Sequence, residues 1–188
     1  MQKVEGIVLK ANSFEDAKHI LHVFSKEFGI ISLVVKGHTA KIKRSYSPLL
    51  KIEATVLKTQ NELWKCKELY ITASYPGLRL KLEKLEIAIL MIKFLYQILP
   101  QKAARQEIYT LFDEHLQHLS SEEEIYAKAS SFLMKILYIE GLLPPIATYS
   151  EQENELLQKI LETPIHKLND THCPQELFAR VKNCSLDQ

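Results

Sequence analysis

The hydrophobic period changes once along the 188-residue chain, at Pro76-Gly77, and that change limits the fold more than any other feature. Before it, apolar residues come in short β-branched runs at 4–9, 20–24, 30–35, 52–57 and 63–71, which read as five strands. In the fourth, Ile52, Ala54 and Val56 alternate with Glu53 and Thr55, as a strand does with one face in a core and the other in water. Phe28-Gly29 marks a tight turn between strands two and three, residues 12–16 a turn before strand two, and residues 37–48 the one long connection. Closure into a small barrel removes the exposed edges that an open five-stranded sheet would leave. An OB-fold is the first expectation, with an SH3-like barrel or an open meander as alternatives.

Beyond Pro76-Gly77 the remainder reads as helices. Residues 84–99 are apolar nearly all round, which places that helix at the centre of its neighbours. Residues 104–118 are amphipathic through Ile108, Leu111, Phe112, His115 and Leu116. A third helix opens on a capping box, Ser121 with Glu124, buries Ile125, Ala129, Phe132, Leu133, Ile136 and Leu137, and stops at Gly141 and Pro144-Pro145. A second box, Ser150 with Glu153, opens a helix that ends at Pro164, and a last short helix follows Pro174 with Leu177, Phe178 and Val181. The expectation is a two-domain α+β chain: a five-stranded OB-fold barrel over residues 1–78 and an α-helical domain over 79–188.

The net charge of +1 conceals a division between these halves. Residues 1–81 hold fourteen Lys/Arg against seven Asp/Glu, a net of +7, whereas residues 82–188 carry a net of −6. A basic barrel ahead of an acidic helical part points to a polyanion-binding front and a back that meets other proteins. The basic charge is densest in Lys36-Gly37-His38-Thr39-Ala40-Lys41-Ile42-Lys43-Arg44-Ser45-Tyr46, with four cations and no acid. Lys36, Lys41, Lys43 and Arg44 can neutralise phosphates, Thr39 and Ser45 can hydrogen-bond them, and Tyr46 offers a ring for a base to stack on. Lys65 and Lys67 share one face of strand five, which leaves Trp64 to the core. Lys10, Lys51 and Lys58 are supporting candidates for the same surface.

Catalytic chemistry finds no support. Five glycines, at 6, 29, 37, 77 and 141, cannot spell a dinucleotide or P-loop signature, and no nucleophile elbow or zinc-protease motif occurs. His115 and His118 read as a packed and a solvated helix histidine rather than a metal pair. Cys66, Cys173 and Cys184 form no Cys-x-x-Cys, so a reducing compartment is expected. The opening MQKVEGIVLK lacks a signal-peptide core, and the apolar run over 87–99 is broken by Lys93 and Gln97, so a cytoplasmic, nucleoid-associated protein with no membrane partner is expected.

The order of features resembles a known family. Gly6-Ile7-Val8-Leu9-Lys10, Glu15 before Val23-Phe24-Ser25, then Gly29-Ile30-Ile31-Ser32-Leu33-Val34-Val35-Lys36-Gly37, the basic loop to Ser45, and Pro48-Leu49 are similar to the amino-terminal barrel of the bacterial recombination mediator RecO. The likeness continues through Glu62-Leu63, Glu68-Leu69, Phe132-Leu133-Met134-Lys135-Ile136-Leu137, Gly141 and Pro144, and covers residues 1–145. Many members carry four zinc-binding cysteines after the Gly-Pro turn, where this chain has Ile146-Ala147-Thr148-Tyr149-Ser150, so no zinc and no other cofactor is expected. The resemblance implies a non-enzymatic DNA repair and recombination protein. Such a protein binds single- and double-stranded DNA, anneals complementary strands and, with RecR, helps load RecA onto DNA coated by the single-strand-binding protein SSB. It assigns DNA contacts to Lys36, Lys41, Lys43 and Arg44, and a site for the acidic, apolar-ended C-terminal tail of SSB to the helical region, where Lys93 or Arg105 is the candidate cation. The residues themselves leave open a protein-interaction scaffold or an RNA-binding OB-fold.

Overall fold

The computed structural model describes every residue except 15–17, 37–45, 60–62, 101–102, 122 and 187–188. Two compact units emerge: Met1–Tyr75 with Pro100–Thr110, and Pro76–Leu99 with Leu111–Gln188.

In the first unit, β1 (Gln2–Phe14), β2 (Lys18–Ser25), β3 (Gly29–Lys36), β4 (Lys51–Leu57) and β5 (Leu63–Ala73) close into a barrel in the order β1-β2-β3-β5-β4. The β3–β5 seam is parallel and the other pairings are antiparallel. This is the expected OB-fold; the open meander and the SH3-like barrel fall away. Inward positions carry Val4 and Val8, Leu21 and Val23, Ile31 and Leu33, Ile52 and Val56, with Trp64 and Leu69 completing the core.

Register slips in the β1–β2 and β4–β5 ladders set which side chains face out. Strict alternation from Val8 would turn Lys10 into the core, but the β1–β2 register slips between Val8 and Lys10, so Ala11 packs inward and Lys10 is exposed. On β5 the slip sets Cys66 opposite Val56 and Glu68 opposite Thr55, leaving Lys67 as the extra, exposed residue. One sequence expectation fails here. Residues 12–14 are not turn but the end of β1, since Asn12, Ser13 and Phe14 pair with Ile20, His19 and Lys18. Cross-strand pairing outweighed the turn preference of Asn and Ser.

The β2–β3 turn falls at Phe28-Gly29 as expected. Ser25 Oγ accepts from the N–H groups of Glu27 and Phe28, each at 3.2 Å, and Gly29 takes φ +70°. A Cβ on Gly29 would also collide with the backbone of Ala103. That segment closes one apolar row on the barrel's outside, Ile7–Phe24–Ile30 in register. Tyr109 sets its ring 5.7 Å from that of Phe24 and donates its hydroxyl to Glu5 Oε1 at 3.1 Å.

The second unit contains α1 (Leu82–Ile98), most of α2 (Gln106–Ser121), α3 (Ile125–Ile139), α4 (Glu151–Glu162) and α5 (Gln175–Leu186). Its most enclosed helix is α3, packed by α1, α4 and α5, and not the 84–99 helix expected at the centre. The correction has a physical basis. On α1, Glu86, Lys93, Tyr96 and Gln97 are exposed, whereas α3 buries Lys128, Ser130 and Ser131 together with its apolar residues. The Ser121–Glu124 box is also absent: Ser121 ends α2 and donates back to the carbonyls of Gln117 and His118, and Glu124 is the N-cap of α3. The Ser150–Glu153 box is formed, with both reciprocal hydrogen bonds. At the end of α3, Gly141 (φ +71°) allows a Schellman closure, in which Gly141 N–H bonds Tyr138 O and Leu142 N–H bonds Leu137 O. Among the described residues no helix is long and apolar enough to cross a membrane.

Candidate nucleic-acid interface

Where the Pro100–Thr110 segment stops, the outside of β1, β2, β3 and β5 carries polar rows fixed by strand register. One row runs Lys10–His22–Ser32, the next Asn12–Ile20–Val34–Lys65, and at the ladder's end Lys18 lies directly opposite Lys36. Lys10, Lys36 and Lys65 are exposed, and Lys18, Ile20, His22, Ser32 and Val34 are half-buried. No Asp or Glu occupies a described position in these rows. The outward side of β1, β4 and β5 differs: Glu5 pairs across from Glu53, and Glu68 from Thr55. The barrel therefore has one cationic flank and one flank that mixes charges.

His22 sits in the middle of the cationic flank. Its Nδ1 lies 3.3 Å from Ser32 Oγ. Burial, and then the Lys10 charge across the ladder, hold its pKa below the ordinary histidine value, so the ring is neutral at pH 7.

The candidates taken from the sequence divide accordingly. Lys10, Lys36 and Lys65 stand on this flank, and Lys67 is exposed at the β5 bulge beside Glu68. Lys51 is committed elsewhere, 3.1 Å from Glu5. Lys58 places its ammonium 5.6 Å from the Trp64 ring centroid, and Trp64 is a core residue as expected, 5.0 Å from Phe28. Tyr46 is half-buried, packed against the barrel core with its ring T-shaped to that of His19 at 5.2 Å. Lys41, Lys43 and Arg44 lie outside the described residues. Lys93 is exposed on α1; Arg105 precedes α2 and belongs to the barrel unit, not to the helical region in which it was expected. Lys18, His22 and Ser32 are not among the residues that the sequence singles out for binding. Their signal was the alternation Lys18, Ile20, His22, which sets one face of β2 apart from Leu21 and Val23.

Other reactive groups are quiet. His115 is buried, its Nδ1–H donates to Leu111 O at 2.7 Å, and burial pushes its pKa down to about 3. Burial raises the Cys66 thiol to about 11, well away from a thiolate nucleophile. Among the described residues no group of three or more His, Cys, Asp or Glu could hold a metal ion. What the cationic flank offers is flexible ammonium groups and hydroxyls, which suit phosphates.

Comparison with known proteins agrees with this architecture. Residues 1–75 match the family model described as recombination protein O N terminal. A DNA repair protein RecO of Synechocystis sp. is 28% identical over 145 residues, covering 74% of this chain and 53% of that protein. The DNA repair protein RecO of Gloeothece citriformis is 24% identical over 147 residues, covering 75% and 52%. That of Phocaeicola vulgatus is 24% identical over 157 residues, covering 80% and 65%. The chain spans about half the length of the first two relatives. With a closed five-stranded barrel over the matched residues and relatives that share one description, the chain is similar to DNA repair protein RecO along its barrel and much of its helical part.

Proposed function

We propose that this protein is a DNA repair and recombination mediator. It binds single- and double-stranded DNA on the cationic flank of its barrel, anneals complementary strands and, with RecR, helps load RecA onto SSB-coated single strands. No bond-making step is assigned to it. The observation that carries the reading is the set of outward rows with Lys10, Lys18, Lys36 and Lys65 and no described acid. OB-folds bind oligonucleotides on the face of strands two and three, beside the loops after strands one and four, and it is the β2–β3 face that carries these rows. Lysines that grip phosphates leave base edges open for pairing, as annealing requires.

Lys41, Lys43, Arg44 and Lys67 are kept as candidate DNA contacts. Lys93 and Arg105 are kept as candidate cations for the SSB tail.

The test is annealing of complementary oligonucleotides coated with SSB. The wild-type protein should accelerate it, and joint replacement of Lys10, Lys36 and Lys65 by Ala should abolish the acceleration and flatten the salt dependence of binding by about 0.7 to 0.9 log unit per lost phosphate contact. Wild-type protein that binds neither single strands nor duplex at low salt would leave the scaffold reading instead. Preference for RNA over the matched DNA strand would favour the RNA-binding one.

A further inference from the structure

We infer that Lys10, His22 and Ser32 form a single phosphodiester site, and that filling it with a nucleic-acid phosphate is coupled to uptake of a proton by His22. The inference rests on the reading that the cationic flank is the DNA surface, and it names the group that makes the affinity of that surface depend on pH.

Three different donors meet in one register row. Lys10 on β1 lies directly across from His22 on β2, and His22 directly across from Ser32 on β3. The bulge after Val8 makes the row possible, since without it Lys10 would face the core. Ser32 Oγ is 3.3 Å from His22 Nδ1, so the two side chains meet across the ladder. A phosphodiester brought to the row meets an ammonium, a hydroxyl and an imidazole.

The groups that face His22 are Lys10 from β1 and Ser32 from β3, with Lys18 two outward positions away on β2 itself. No described acid lies in these rows to favour the imidazolium. Lys10 and half-burial both disfavour the charged ring in the free protein. A bound phosphate reverses the Coulomb contribution, because its negative charge neutralises Lys10 and attracts the imidazolium. By linkage, whatever raises the proton affinity of His22 on binding must raise DNA affinity as the pH falls. His19 is a separate case: its Nδ1 lies 3.5 Å from Ser13 Oγ and its ring meets Tyr46.

The probe is oligothymidylate, whose bases take up no proton between about pH 5.5 and 8, the window in which histidine titrates. Wild-type affinity should rise about 10-fold from pH 8 to pH 5.5 at constant ionic strength, one proton being linked to at most a tenfold change per pH unit. Calorimetry in two buffers of different ionisation enthalpy should show proton uptake. His22→Gln should remove the uptake and leave a flat profile, and His19→Gln should leave the coupling intact. His22→Lys should bind at pH 8 as tightly as the wild type does at pH 5.5, because it supplies the charge permanently. Identical profiles for wild type and His22→Gln, with Lys10→Ala weakening binding at every pH, would overturn the inference and leave the DNA surface standing. Failure of the triple lysine variant to weaken binding would instead remove the surface.

Discussion

The lysines of the barrel and those of the helical unit are the same residue put to opposite uses. On the barrel, Lys10, Lys36 and Lys65 are exposed on rows without a described acid. In the helical unit, Lys84 is 5% exposed and donates to Ser120 O at the end of α2, Lys135 donates to Thr163 O at the end of α4, and Lys128, 1% exposed, donates to Asn169 Oδ1 at 2.8 Å. Helix C-termini carry partial negative charge, so the Lys84 and Lys135 ammonium groups stand in for caps, while Lys128 serves the side-chain amide of Asn169. A count of cations per half could not reveal this. Charge that binds a partner is charge the fold leaves outside.

The most damaging way to test the contrast is to truncate a lysine that the fold uses. Lys128→Ala should cost about 3 kcal/mol in urea denaturation, from the cavity left by a buried stem and the partner stranded at Asn169. It should leave DNA affinity unchanged at temperatures where the variant is folded. If Lys128→Ala instead left stability intact and weakened DNA binding, the division of labour would be wrong. The converse substitution, Lys10, Lys36 and Lys65 together to Ala, should weaken DNA binding by about 100-fold at low salt while shifting stability by less than about 0.5 kcal/mol. Filter binding and thermal melts on one preparation read both.

The histidines sharpen the same comparison. His22 stands on the surface beside Lys10, whereas His115 is closed inside the helical unit, donating to Leu111 O and lying 3.5 Å from Ser131 Oγ. Burial holds the His115 pKa at about 3 against an ordinary 6.5. The folded form therefore keeps a neutral ring while the unfolded chain takes up a proton below pH 6.5. Stability is complete above that value and is lost as pH falls toward 3, by up to about 1.4 kcal/mol per unit. His115→Leu should be less stable at pH 7 but lose less on going from pH 6 to pH 4. Equal losses in the two proteins would mean that the ring is already protonated or exposed in the folded form.

Much of the barrel was legible because a half-buried strand must alternate, and Ile52 to Val56 does. The cationic flank was less so. Lys10 faces outward only because of a bulge at a position where Leu9 and Lys10 carry no turn or glycine signal, and Lys18 and His22 are single polar residues in a strand read for its apolar ones. Parallel pairing of β3 with β5 brings Lys65 beside Val34, a contact between residues remote in sequence that no local pattern encodes. The rank of the helices was misread for a related reason. Hydrophobicity all round suggested α1 as the enclosed helix, but α3 is enclosed with polar residues whose partners lie elsewhere in the chain: Ser131 meets His115, Ser130 meets Cys173, and Lys128 meets Asn169.

The smallest predicted effect isolates this dependence on context in two nearly identical motifs. Ser121 and Ser150 each precede a glutamate by three residues, and both read as capping boxes. Only Ser150 has extended backbone angles, with φ −65° and ψ 164°, and accepts from Glu153 N–H. Ser121 remains within α2, where its hydroxyl returns to carbonyls of the preceding turn, a bond that a helix interior does not need. Ser150→Ala should therefore lower stability by about 1 kcal/mol, and Ser121→Ala should be neutral or slightly stabilising because alanine is the better helix former. Equal losses from the two substitutions would show that Ser121 caps a helix in solution, moving the start of α3 upstream to the boundary that local sequence alone suggests.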